Sequence, residues 1–156
     1  MYVIRKAESK DIDSCINLLK QVCNVHAKLR PDLFKSGMTK YSKIELEEIF
    51  KNESTPVFVY EEDNLVLGYG FCQIINIEGL VHPKKLKSLY IDDICINEDN
   101  RGKHIGKKIF DYIINYARDI NCYNVTLNVW DGNNAAIKFY NAMGMKVQKT
   151  TMEKIL

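Results

Sequence analysis

No apolar run in this chain is long enough to cross a bilayer, and its opening residues, MYVIRKAESKD, hold no signal-peptide apolar core. The cysteines, Cys15, Cys23, Cys72, Cys95 and Cys122, are odd in number and contain no CxxC pair, so neither a disulfide framework nor a zinc site fits their spacing. Each lies in or beside an apolar run, where a free thiol acts as a small buried hydrophobe; a reducing, cytoplasmic setting is expected. The three histidines show no metal-ligand spacing. An excess of one charge is missing too: 22 basic residues face 20 acidic ones, for a net +2, which argues against a dedicated nucleic-acid binder. No repeat, low-complexity segment or linker rich in Pro, Gly or Ser divides the 156 residues. One domain spanning residues 1–156 is therefore expected, large enough to be stable around a single core without staples.

What is present reads as alternating elements. YVIRKA is a first strand, and Ser9 to Asp11 supply start chemistry for a helix carrying Ile12, Ile16, Leu19 and Val22 at helical spacing. AKLRPDLFKSG reads as a loop, punctuated by Pro31 and Gly37. Ser42 followed by Glu45 is a capping box for a second helix through ELEEIF. PVFVYEEDNLVLGYGFCQIINI is two strands turning at Glu62 to Asn64, and SLYIDDICI is another. Ile105, Ile109, Ile113, Tyr116 and Ile120 mark one face of the next helix. NVTLNVW alternates as a half-buried strand, NAAIKFYNAM is a last helix ending at Gly144, and MKVQKTTMEKIL reads as a further strand. The order implies a mixed sheet packed by helices, an α/β architecture.

The stretch DDICINEDNRGKHIGKKIFDYII runs a strand through a short polar loop directly into a helix. A helix N-terminus offers unpaired amides and the positive end of its dipole, and Arg101, Lys103, Lys107 and Lys108 add positive charge. Gly102 and Gly106 lack a Cβ and so permit close approach of an anion such as a phosphate. The loop fits neither GxxxxGK followed by Ser or Thr nor GxGxxG.

RGKHIG resembles the pyrophosphate-binding signature of the GNAT superfamily of N-acetyltransferases: Gln or Arg, two residues, Gly, one residue, then Gly or Ala. Arg101 and Gly106 hold the outer positions, and His104 stands where the family has its first glycine. A second stretch, NNAAIKFYNAMGM, resembles the family's carboxy-terminal signature, with Asn133, Ala136, Ile137, Phe139, Tyr140 and Gly144 in register.

The resemblance implies a mixed, mostly antiparallel sheet flanked by helices, acetyl-CoA as co-substrate and transfer of its acetyl group to a primary amine. It implies that backbone groups of Ile94 and Ile96 pair with the pantetheine arm as an added strand. It further implies that backbone amides of Arg101, Gly102, Lys103, His104, Ile105, Gly106 and Lys107 hold the pyrophosphate, and that Asn133 contacts the coenzyme while also capping the last helix. The chemistry adds its own demands. An amine with a pKa near about 10.4 must lose a proton before it attacks a thioester. By similarity to polyamine-type members, Asp92 or Asp93 could take that proton or bind a cationic substrate; neighbours on a strand face opposite ways unless a bulge intervenes. The departing thiolate needs a proton back, and Tyr140 stands at the family's general-acid position. An amide near Ile94 could stabilise the oxyanion.

A non-catalytic coenzyme A binding or sensing domain is the alternative, although pure binding needs neither Asp93 nor Tyr140. His26, Arg30, Pro31 and Asp32 lie in the loop region after the first helix, where this family shapes its acceptor site, and His82 with PKKLK reads as a solvated hairpin tip. The acceptor could be a polyamine, an amino acid, an amino sugar, an aminoglycoside or a protein amine; the acidic pair favours a cationic small molecule. A homodimer is the default assembly.

Overall fold

The structure, a computed structural model, describes residues 1–77 and 85–156. Five strands, β1 (Tyr2–Lys6), β2 (Val57–Glu62), β3 (Leu65–Ile77), β4 (Leu86–Ile96) and β5 (Asn124–Leu127), form one sheet in sequence order. The first four pair antiparallel, and β4 pairs with β5 in parallel. The helices α1 (Ile12–Leu29), α2 (Lys43–Lys51), α3 (Ile105–Asp119) and α4 (Asn134–Ala142) complete the fold, giving the mixed α/β architecture expected.

Local chemistry accounts for most boundaries. The β2–β3 turn places Asp63 and Asn64 at φ of 51° and 63°, the two left-handed residues of a tight hairpin. Ser42 and Glu45 form the expected capping box at the start of α2. At α1, Asp11 does not cap with its side chain; it receives the Arg5 guanidinium through two hydrogen bonds of 2.7 and 2.9 Å, while Arg5 also pairs with Glu61. That buried pairing ties α1 to β1 and β2. Helix α1 continues to Leu29, so His26 is helical and not in the following loop.

Alternation along the strands divides the core in two. Val57, Val59, Tyr69 and Phe71 face α1 and α2, whereas Phe58, Tyr60 and Cys72 face α3. Helix α3 buries Ile105, Ile109, Phe110, Ile113 and Ala117, and it lies close to the sheet because β3 presents glycines there. A Cβ at Gly70 would fall 2.6 Å from Ile113 Cδ1 and 3.1 Å from Ile109 Cγ2; one at Gly68 would fall 3.0 Å from the Cys95 carbonyl oxygen. These absences set how α3, and with it the loop at its start, sits beside the end of β4.

Two strand expectations are corrected. Residues 145–156 form no strand, since among the described residues no sheet edge pairs with them, and β5 ends at Leu127, so Asn128 to Trp130 are not part of it. The hairpin tip with His82 lies outside the described residues. Replacing Gly70 with Val should force α3 off the sheet, costing about 2 kcal/mol and lowering the melting temperature by roughly 4–8 °C. An unchanged thermal midpoint would mean that α3 is seated less tightly than the coordinates show.

Candidate active site

A register slip between Phe71 and Cys72 shapes the centre of the sheet. Asp93 pairs with Phe71 and Ile91 with Cys72, which leaves Asp92 as the extra residue of a β-bulge. Upstream of it, Leu89 and Ile91 face α3; downstream, Ile94 and Ile96 do, and Cys95 faces α1. The facing of β4 thus inverts at the bulge. Both carboxylates consequently point to the α1–α2 face, instead of only one of the two, as strict alternation would have it.

Their surroundings differ. Asp92 takes the Lys40 ammonium at 2.7 and 2.8 Å and the Tyr41 hydroxyl at 3.1 Å, from the loop entering α2, and its side chain is only 10 % exposed. Asp93 accepts a 2.5 Å hydrogen bond from the Tyr69 hydroxyl. Burial pushes the Asp93 carboxyl up to about 6; the Tyr69 bond opposes the rise, the Asp92 charge adds to it, and the Lys40 charge and the Ile94 amide hold it down. Tyr69 is pushed well above the usual phenol range by its own burial, then by Asp93. The Ile94 amide, expected as an oxyanion donor, is engaged with the Asp93 carboxylate.

Beyond the bulge the sheet forks. The β4–β5 pairing runs from Ser88–Asn124 to Ile91–Leu127 and stops, while β4 continues to Ile96. Among the described residues, no strand pairs with 92–96 on that side, and Ile94 and Ile96 lie on this open edge. Next comes a 3-10 turn, Glu98–Asn100, started by Asn97, whose side chain accepts from the Asp99 amide at 3.0 Å. Gly102 has φ 79° and His104 φ 59°, so the histidine adopts the left-handed conformation that the loop requires. His104 caps α3 without a side-chain hydrogen bond, leaving the first amides of the helix without a side-chain partner.

Around this loop the side chains sort differently from the sequence expectation. Arg101, Gly102, Lys103 and His104 are exposed, and Ile105 is a core residue whose backbone alone faces the loop. Lys107 pairs with Asp111 at 2.5 Å, and the Lys108 ammonium lies 3.9 Å over the Tyr2 ring, so neither adds its charge to the loop. Packing does not require the glycine at 106, since a Cβ there would make ordinary contacts with the Phe139 ring at 3.4 Å and Ile96 at 3.7 Å.

Helix α4 approaches from the α3 side. Asn133 caps it, accepting from the Ala136 amide at 3.3 Å. Tyr140 packs against Phe139 and Phe110, at ring separations of 5.1 and 6.2 Å, and burial followed by the Asp93 charge pushes its phenol up. A cleft of about 220 Å³, lined by Tyr41, Phe71, Gln73, Cys72 and Asp92 among others, opens on the α2 side. A larger one of about 300 Å³ lies beside Arg5, Lys10, Asp11 and Glu61, two charges of each sign, with Arg5 paired to both carboxylates.

Sequence reading missed Lys40, Tyr41 and Tyr69; the glycines flanking Tyr69 in GYGF were the one local signal near any of them. The His26 ring lies tilted against Phe34, with centroids 5.1 Å apart, and its burial and then the Lys40 charge lower its pKa. Arg30 pairs with Asp32 and Glu153 and lies 5.3 Å over the Trp130 ring.

Comparison with known proteins places the fold. Residues 19–145 match the model of the Acetyltransferase (GNAT) family. A bovine (Bos taurus) thialysine N-epsilon-acetyltransferase is 26% identical over 152 residues, covering 91% of this chain and 82% of that protein. A mutant of the BH1408 protein from Bacillus halodurans is 31% identical, with a TM-score of 0.92 and 99% of both chains covered. An aminoglycoside N-acetyltransferase solved in complex with CoA shares the fold at a TM-score of 0.73 and 13% identity, covering 99% of this chain and 98% of that one. By its fold and by the span of the family match, the chain belongs to the GNAT family of acetyltransferases.

Proposed function

We propose that the whole chain acts as one N-acetyltransferase domain that transfers the acetyl group of acetyl-CoA to a primary amine by direct attack. The observation that carries the proposal is the fork: an open β4 edge at 92–96, with Asp93 on it, leading into an uncapped helix start against which α4, the helix of Tyr140, packs through Phe139. The residues fit the co-substrate. Main-chain groups of Ile94 and Ile96 would pair with an amide-bearing arm. The loop amides from Arg101 to Lys107, with the exposed Arg101 and Lys103 side chains, would hold a diphosphate at the positive end of α3. Asn133, beside its capping role, would contact the coenzyme. When bound, acetyl-CoA supplies an activated acetyl thioester.

The chain's own groups then manage protons. Asp93, with a pKa near about 6, is mostly ionised at neutral pH yet far more basic than an ordinary carboxylate, which suits it to take the proton of an incoming ammonium. The Tyr140 hydroxyl stays protonated at neutral pH and would return a proton to the leaving sulfur. Asp92 lines the adjoining cleft, and a cationic small-molecule acceptor would take the place that the Lys40 ammonium holds on it. Five free thiols suit a cytoplasmic setting.

Following thiol release from acetyl-CoA across a panel of amines tests the proposal; coenzyme binding without turnover on any amine would favour the binding or sensing alternative. Tyr140→Phe should lower kcat at least about 100-fold with coenzyme affinity nearly unchanged, and unaltered kcat would remove this hydroxyl from the mechanism. The acidic limb of kcat/KM should titrate near about 6. Lys40→Met, by removing a charge that holds the Asp93 pKa down, should move that limb to higher pH. Asp93 also has a stability signature. Its folded pKa exceeds its unfolded value of 3.8, so the folded state binds the proton more tightly and ionisation destabilises the fold as pH rises from about 4 through about 6. Asp93→Asn should therefore melt higher than the parent protein at pH 8 while losing activity; a lower midpoint at pH 8 would count against the shifted carboxyl.

A further inference from the structure

The Tyr69 phenol has no part in the proposed proton transfers, yet its place in the core asks for a reason. It stands in the middle of β3, fully buried, in a layer built from apolar side chains such as Leu18, Leu46, Val59 and Phe71. A phenylalanine would fill the same space without taking a hydroxyl out of water, so packing alone does not account for the oxygen. The oxygen is nevertheless used. It donates to Asp93 Oδ2 at 2.5 Å and also meets the Cys95 thiol.

The sheet register brings the two groups together. Tyr69 is paired with Cys95 and Phe71 with Asp93, so the phenol reaches Asp93 diagonally, on the face that the bulge at Asp92 turns toward α1 and α2. Its ring is set edge-on against Phe71, with centroids 4.7 Å apart. Phe71 in turn stacks on Tyr41, whose hydroxyl goes to Asp92. Each carboxylate thus has its own phenol, with one phenylalanine between the two rings. Their anchorage differs: Tyr41 comes from the loop entering α2 and is half-buried, whereas Tyr69 belongs to a strand paired on both sides, with β2 and with β4.

We propose that Tyr69 is a positioning residue: its hydroxyl holds the Asp93 carboxylate at one oxygen, fixing its direction and supporting its ionised form, so that Asp93 is ready to take a proton. This rests on the proposed role of Asp93 as proton acceptor. A donor to a carboxylate favours the anion, so loss of the phenol must push the Asp93 pKa further above about 6. Around Asp93 stand Tyr90, Asp92 and Cys95 of β4, Lys40 and Tyr41 before α2, Tyr140 of α4 and, beyond Tyr69, Cys15 of α1. Burial above all raises the thiols and phenols of this group, and the Lys40 ammonium is raised as well, its hydrogen bond to Asp92 outweighing burial. None of these thiols and phenols, nor the ammonium, titrates near neutral pH. His26 of α1 senses Lys40 and not Asp93.

Carbon NMR of protein labelled at the aspartate carboxyls, with the Asp93 signal assigned by its loss in Asp93→Asn, reads this equilibrium without any substrate. Tyr69→Phe should raise the Asp93 midpoint by about one pH unit or more, and an unmoved midpoint overturns the proposal. In turnover, the acidic limb of kcat/KM should rise with it, so that activity falls about tenfold below the limb and returns to within about threefold of the parent at high pH. Equal losses at every pH, with the limb in place, would make the hydroxyl merely structural and overturn the proposal too. Should Tyr69→Phe fail to fold, the parent protein answers: its Tyr69 Cζ resonance should shift through the Asp93 midpoint and lose that step in Asp93→Asn. A Cζ signal without the step would be fatal to the inference. A parent inactive on every amine, with a carboxyl midpoint that still rises in Tyr69→Phe, would remove the proposed activity and leave Tyr69 as the group that holds Asp93; turnover with an unmoved midpoint would remove Tyr69 alone.

Discussion

The one-residue slip opposite Phe71 and Cys72 governs which way β4 presents its side chains from Asp93 onward. Without it, the hydrophobic Ile94 and Ile96 would leave the α3 layer, Cys95 would leave the α1 layer, and the two carboxylates would stand on opposite faces of the sheet. With it, both acids share the α1–α2 face, and each finds a distinct partner there. The same region lies where β5 stops pairing, so local twist, the fork and the acidic pair all coincide.

Placing two carboxylates side by side in a partly desolvated region is unfavourable, and the protein handles the two differently. Lys40 and Tyr41 satisfy Asp92, whereas Asp93 has a phenol and an amide but no cation of its own. Burial therefore raises its pKa. A carboxyl that is poorly stabilised as an anion is what the proposed proton acceptor needs, and it illustrates a functional group kept at the expense of folding stability.

Positioning depends on residues that carry no chemistry. Gly68 and Gly70 let α3 approach the sheet. The left-handed His104 turns the loop into α3 without closing the helix start with its side chain. The same loop geometry that glycine would permit is reached here by a residue whose steric cost is modest.

Much of this was legible along the chain, because helical period, strand alternation, the Ser42–Glu45 capping box and the Asp63–Asn64 turn are encoded by neighbours in sequence. The two family-like stretches located the loop and α4 for the same reason: their spacing is local. Lys40, Tyr41 and Tyr69 were not legible, since nothing near each of them in sequence announces a carboxylate 24 to 52 residues away. Nor was the withdrawal of Lys107 and Lys108 from the loop, which depends on Asp111 one turn on and on Tyr2 at the other end of the chain. The sequence by itself determined the elements, their order and the residue types available to the site. Only the tertiary structure decided that Asp92 and Asp93 share a face, because a bulge is a relation between two strands, and burial, which raises the Asp93 pKa, exists only once distant segments have packed around it.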